Sequence, residues 1–235
     1  IHTGNYGVDL DTNFASLLSK IVSIPGLMRL RISSIEITEL TKDVLDVIKN
    51  SSIIVDHMHI PLQAGSNHVL KLMNRKYDLD YFFDKINEIR MIRPNMAITT
   101  DVIVGFPGET EEDFLQTIET CRKVNFTKMH VFPYSERKGT KAMELPEHVD
   151  INIKKERARR LLTVSKELEM SYYQSFVGKE VAVLVEEVKN QNSYGHTDNY
   201  LHVQIPDILP HNTFVTVEIV DVSYPYCIGR VSLLK

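Results

Sequence analysis

The stretch Thr100-Asp101-Val102-Ile103-Val104-Gly105-Phe106-Pro107-Gly108-Glu109-Thr110 decides how the chain is read. Residues 97–104 are almost continuously apolar or β-branched, which suits a parallel strand covered on both faces. Gly105 and Gly108 let the backbone turn sharply or approach a ligand closely. Thr110 then stands as an N-cap, with Asp113 completing a box-like helix start. Strand, glycine turn and helix form one α/β unit. Asp101 is its exception, because a carboxylate inside an apolar strand is costly to bury without a partner or a ligand. No Gly-Lys-Ser/Thr follows, so the turn is not a phosphate loop, and its glycine spacing is not that of a dinucleotide fingerprint.

Outward from this unit the alternation repeats. Apolar runs predict strands over 27–37, 57–62, 97–104 and 128–134, with Leu30, Ile60, Val102 and Val131 at their middles. Helical spacing fills the intervals at 13–24, 41–49, 67–74, 79–92 and 111–123. Such alternation through about four strands makes a parallel sheet or an α/β barrel, with function at the C-terminal strand ends. Those ends are 33–36, 61–66, 105–109 and 132–135, all rich in hydrogen-bonding groups, as a ligand cup requires. A loop at 143–150 leads to a long helix over 153–173. From Phe176 the pattern changes to short β-branched strands at 180–188, 201–205, 214–222 and 226–234, with turn clusters at 190–193 and 211–212. That predicts a small all-β, OB-like barrel. The expected division is 1–150 α/β, 151–175 connecting basic helix and 176–235 β-module.

Hydrophobic content of 43% and charged content of 25% are those of a globular protein, and a net charge of −4 argues against indiscriminate binding of polyanions. The two cysteines, Cys121 and Cys227, follow no ligand spacing and read as unbridged thiols in a reducing, cytoplasmic setting. No apolar run approaches the ~20 residues that a membrane span needs. The chain opens Ile-His-Thr-Gly rather than on Met, which predicts a piece of a longer protein. His57 and His59 alternate on one strand face and read as packed histidines; no zinc spacing is present.

At its strand ends the chain resembles the radical S-adenosylmethionine methylthiotransferases. The matching stretches are His2-Thr3-Gly4, 31–36, 61–66 with 70–75, 101–110 and 134–142, in family order, and 176–235 is similar to the family's terminal TRAM domain, an RNA-binding β-barrel. The resemblance implies a partial radical-SAM (βα)6 barrel, about four of its six strands, followed by a TRAM barrel. Ile1 to Gly7 is most similar to the branch that methylthiolates carbon 2 of N6-threonylcarbamoyladenosine beside the tRNA anticodon. Other branches act on isopentenyl-adenosine in tRNA or on a ribosomal-protein aspartate. Implied cofactors are S-adenosylmethionine and [4Fe-4S] clusters. The family holds those clusters through a Cys-x3-Cys-x2-Cys loop and further cysteines. Neither cysteine here matches, so the expectation is a metal-free fragment without catalytic residues, inactive alone. Its expected partners are tRNA, S-adenosylmethionine and the missing N-terminal part of the same protein. The alternatives are the ribosomal-protein enzyme and a non-catalytic RNA-binding protein.

By the same resemblance, Thr3 and Gly4 lie near the methionine amino group, and Ser34 and Glu36 near that amine or the ribose. Gln63 offers donor and acceptor to ribose hydroxyls or the methionine carboxylate. Ser66 bonds nearby or caps the following helix. Arg75 pairs with the methionine carboxylate or makes a surface ion pair, and Asp101 orients Arg75 or a cofactor hydroxyl. Val104 and Phe132 give apolar walls for adenine. Arg137, Lys138, Lys141, Lys154, Lys155, Arg157 and Arg160 are expected on tRNA phosphates. Residues 171–235 hold four Lys/Arg against seven Asp/Glu, so the β-module would bind RNA by stacking on Tyr194, Tyr200, Phe214, Tyr224 or Tyr226, unless these fill its core. The edge beside Leu30 is expected to be open, a pairing hazard.

Overall fold

A computed structural model describes residues 3–232; His2 of the first motif lies outside the described residues, as do residues 233–235. The N-terminal part carries helices α1 (Phe14–Ile21), α2 (Lys42–Asn50), α3 (Asn67–Leu72), α4 (Leu79–Ile92) and α5 (Glu111–Val124) around strands β1 (His57–His59), β2 (Ala97–Val104) and β3 (Lys128–Pro133). The caps Asn13, Thr41, Ser66, Asp78 and Thr110 each accept a first-turn backbone N–H, which fixes where these helices begin. The three strands are parallel in the order β1-β2-β3. Thr100, Val102 and Val104 of β2 are fully buried on one face, whereas Asp101 and Ile103 are half-buried on the other.

Two expected strands come out differently. Residues 27–37 form only a parallel bridge, Leu30 to Ile54, and one further bond from Ile35 N–H to His59 O at 3.1 Å. Among the described residues the segment has a backbone neighbour on one side only, and a strand needs a ladder more than it needs propensity. The run at 57–62 keeps the β geometry over 57–59 and then kinks, because Pro61 has no N–H and Gln63 is left-handed at φ 66°. Its bonds to β2 nevertheless persist: Gln63 N–H to Asp101 O at 2.9 Å, and Ile103 N–H to Gln63 O at 2.8 Å.

The start of α5 carries the expected capping box, Thr110 with Asp113. Asp113 also accepts from the Ser66 hydroxyl at 2.5 Å and lies 2.9 Å from His68 Nδ1. Burial alone would raise the Asp113 carboxyl, but the Ser66, His68 and Thr110 bonds outweigh it and hold it at about 2, below its ordinary 3.8. A lowered carboxylate pKa stabilises the fold above the unfolded value, and that contribution drains away as pH falls through the folded one. Asp113→Asn is therefore expected to cost on the order of 2 kcal/mol at neutral pH. Urea melts of the two proteins should converge between about pH 4 and pH 2. A gap independent of pH would mean that the carboxylate's charge plays no part.

Helix α6 (Ile151–Gln174) runs back across the sheet and leads into β4 (Glu180–Lys189), β5 (Asn192–His196), β6 (His202–Ile205), β7 (Phe214–Ser223) and β8 (Tyr226–Val231). These close into a barrel, β4-β5-β6-β8-β7, with Val183, Val185, Leu201, Val203, Ile205, Val217, Ile219 and Cys227 fully buried inside. Strand β5 is absent from the sequence reading. Its hairpin turn, left-handed at Asn190 and Gln191, makes the segment look like loop. The barrel lies against the edge beside Leu30. Arg29 donates to His196 O at 3.1 Å and pairs with Asp198 at 2.5 Å, and Arg31 lies over the Tyr200 ring at 4.6 Å. Among the described residues no helix is long and apolar enough to cross a membrane.

Candidate functional site

The open face of the sheet ends in a hollow of about 500 Å³ at the C-terminal tips of β2 and β3. Asp101 and Ile103 enter it from β2, Phe132 from β3, Gln63 from the kinked end of β1, and Tyr134 and Arg137 from the loop after β3. The parallel register explains the convergence, since Asp101 lies opposite His130 and Ile103 opposite Phe132, all on one face. Phe132 is half exposed, and its ring presents a flat apolar wall. Gln63 holds a left-handed backbone, which costs a non-glycine residue about 1–2 kcal/mol. Strain of that kind persists where the surroundings fix it, often at ligand sites. Tyr134 also lines the hollow; its hydroxyl oxygen is itself buried, with no hydrogen-bond partner among the described residues. Asp101 Oδ2 lies 3.3 Å from His59 Nε2.

So Gln63, Asp101 and Phe132 meet in one hollow, and others of the expected set do not join them. Val104 is fully buried on the opposite face of β2; strand parity puts Ile103 on the Asp101 side instead. Ser66 is fully buried, caps α3 and donates to Asp113, leaving nothing for a cofactor. Arg75 pairs with Glu36 at 3.1 Å rather than with Asp101. Thr3 donates to Glu39, and Gly4 follows it in a single 3-10 turn; Ser34 is exposed. Tyr134 and Ile103 are the residues that sequence reasoning missed as walls; Tyr134 stood within a recognised stretch, and Ile103 was findable from period-two alternation.

The basic set also divides. Lys154 and Arg157 lie on the buried face of α6, with Arg157 held by Glu109 at 2.7 Å, so neither can serve as a phosphate contact. Arg160 pairs with Glu111 at 2.7 Å and is half-buried. Arg137, Lys138, Lys141 and Lys155 are exposed. In the barrel, Tyr200 is stacked between His57 and His196 and is not free to take a base, whereas Tyr194, His202 and Tyr226 cluster half-exposed, with ring centroids 4.5–6.5 Å apart.

An iron–sulfur cluster does not fit the residues present. Cys121 and Cys227 are fully buried in separate cores, and burial pushes each thiol up to about 12, far from the thiolate a cluster needs.

The Radical SAM superfamily matches residues 6–121. The threonylcarbamoyladenosine tRNA methylthiotransferase MtaB of Bacillus subtilis is 42% identical over 240 residues, covering 98% of this chain and 53% of that protein. A tRNA-2-methylthio-N(6)-dimethylallyladenosine synthase of Desulfitobacterium hafniense is 40% identical, over 87% of this chain and 47% of that one. The MtaB protein of Thermotoga maritima is 39% identical, over 79% and 43%. The chain thus spans about half the length of the curated relatives it matches. Among solved structures, coproporphyrinogen III oxidase (HemN) from Escherichia coli, described as a radical SAM enzyme, matches with a TM-score of 0.50 at 21% identity. It covers 60% of this chain and 32% of its own, a likeness of fold.

Proposed function

We propose that the chain belongs to the radical S-adenosylmethionine methylthiotransferase family and is part of a cytoplasmic tRNA methylthiotransferase acting on N6-threonylcarbamoyladenosine. The observation that carries this reading is the hollow where Gln63, Asp101 and Phe132 meet at the strand tips. Its chemistry suits the adenosyl end of S-adenosylmethionine. Phe132 offers a ring for adenine to stack on. Gln63 and Asp101 offer acceptors, and Gln63 also a donor, for ribose hydroxyls. Tyr134 adds a second ring to the wall of the hollow. When bound, S-adenosylmethionine supplies the radical and methyl chemistry, and these residues hold it and exclude water. The cluster's thiolates, in this reading, come from outside these residues. Region 1–150 is then barrel, 151–175 a linking helix, and 176–235 a TRAM module.

For tRNA, the exposed cations Arg137, Lys138, Lys141 and Lys155 face phosphates, and the Tyr194, His202 and Tyr226 rings offer a stacking platform on an otherwise acidic module. The branch assignment leans on the B. subtilis relative, whose match runs through nearly the whole chain.

S-adenosylhomocysteine titrated into the chain by calorimetry tests the hollow. Phe132→Ala is expected to weaken binding about tenfold, the worth of one good ring contact. Undetectable binding, or a variant that binds as well as the parent, overturns the hollow's role. Nucleoside mass analysis of tRNA from cells lacking the full-length protein tests the substrate. Loss of the 2-methylthio form of threonylcarbamoyladenosine is expected. Unchanged tRNA with an unmodified ribosomal-protein aspartate would assign it to the ribosomal branch.

A further inference from the structure

We propose that His59, Asp101 and His130 bind one divalent transition-metal ion of borderline softness, Zn²⁺ being the probe of choice. The three side chains come from adjacent parallel strands β1, β2 and β3, on the face that opens toward the hollow. The register sets Asp101 directly beside His130, and His59 beside Thr99, the residue before Asp101 on the same face. One donor atom from each of the three lies within 4.8 Å of the others, and His59 Nε2 is 3.3 Å from Asp101 Oδ2. Two imidazole nitrogens and a carboxylate oxygen make a donor set that zinc accepts while keeping a position open, and that ferrous iron accepts as well. Neither a sulfur ligand nor a cluster is involved.

The surroundings supply what a chance grouping lacks. Thr99 Oγ1 lies 3.0 Å from His59 Nδ1 and 3.2 Å from His57 Nε2. His57 is buried on the far side of Thr99 from His59. When the Thr99 hydroxyl donates to His57 Nε2, its oxygen accepts the Nδ1–H of His59. That tautomer aims the His59 Nε2 lone pair at the Asp101 carboxylate, acceptor against acceptor, and a cation between them resolves the conflict. A histidine whose second nitrogen is held by a neighbour is the usual outer support of a metal ligand. The ligands sit on strands rather than loops, which limits the adjustment needed to draw them together. Access exists from two sides: Asp101 lines the hollow, and His130 lines an adjoining recess of about 340 Å³. Lys128, on the same face of β3, is drawn away to Glu169 at 3.2 Å. A bound ion would present its open position to solvent. This inference does not rest on the adenosyl reading, and a metal alone is enough to test it.

Zinc is titrated into the full 235-residue chain in competition with a chromophoric chelator. One ion per chain is expected. His130→Ala, at an exposed position, and Asp101→Asn should each weaken binding about 100-fold or more, and Thr99→Val, which keeps all three ligands, about tenfold. Cobalt bound in place of zinc should show ligand-field bands that vanish in His130→Ala. Thermal melts that match the parent's show that each variant is folded, and His130→Ala alone suffices if the others are not. Zinc that binds His130→Ala and the parent equally sits elsewhere and overturns the proposal. So does a parent chain that takes no zinc, for then His59 simply donates Nε2–H to Asp101.

Discussion

Arg157→Ala is expected to destabilise the chain by about 3–5 kcal/mol, because it strips one partner from a buried ion pair. That loss should lower the melting temperature by about 10 °C or more. Arg157 Nη1 donates to Glu109 Oε1 at 2.7 Å and to Glu109 O at 3.1 Å, and the two side chains are only 6% and 2% exposed. Glu109 Oε1 also accepts from Gly105 N–H at 2.8 Å. The pair therefore bolts α6 to the glycine turn that follows β2. Burial raises the Glu109 carboxyl, against the pull of Gly105 N–H and Arg157 in the other direction. With Arg157 gone, Glu109 keeps a raised folded-state pKa and no counter-charge. Such a group stabilises below its unfolded pKa and loses that contribution as pH rises. The variant should accordingly be least stable at alkaline pH and recover part of its loss toward about pH 5. Lys155→Glu, two residues away on the exposed face, is expected to change stability by no more than about 0.5 kcal/mol while weakening RNA binding. Should Arg157→Ala melt with the parent, the buried pair does not hold the turn.

The contrast between Arg157 and Lys155 shows what was legible in the chain. As a cluster of positive charge, 154–160 looks like one surface. Read by helical period, Lys154, Arg157, Ala158, Leu161, Val164 and Ser165 form a single buried stripe, and Lys155 lies off it. The long periodic elements were readable for that reason: α4 and β2 match the bounds that spacing predicts, and α5 extends one residue past them. Residues 27–37 were not, since whether a β-prone run becomes a strand depends on what lies beside it. Strand β5 was hidden by its turn residues. In the site, Gln63, Asp101 and Phe132 were legible because parallel strands bring their tips together whatever the loops do. Ser66 and Arg75 were legible only as alternatives, because a cap and an ion pair use the same side chains that a cofactor would, and only the folded chain tells which partner is nearer. His130 carried no sequence signal of its own; it acquires meaning through the register that sets it beside Asp101.

Gly65→Ala should be the second most damaging change, at about 3 kcal/mol, toward the upper end for overpacking a close contact. A methyl built on Gly65 would stand 2.5 Å from the Thr117 Cα, and 3.0 Å from the Thr120 Cβ. Backbone cannot move aside as a flexible side chain does. The approach is locked by hydrogen bonds, Gly65 N–H to Thr117 Oγ1 at 3.1 Å and Thr120 Oγ1–H to Gly65 O at 2.9 Å, all buried. Relief would require α5 to lift from the loop, carrying Phe114 and Cys121 out of the core. The consequence reaches the hollow, because Gln63 lies two residues before Gly65 in a strained conformation, and Ser66, just after it, is tied to Asp113 of α5. A displaced loop releases Gln63 from the geometry that aims it at Asp101 and Phe132. Urea melts should show the stability loss. Binding of S-adenosylhomocysteine, measured where the variant is still folded, should fall further than Phe132→Ala makes it fall. Parent-like melting would mean that helix and loop are not in contact, whereas lost stability with intact binding would separate the loop's packing from its role in shaping the hollow.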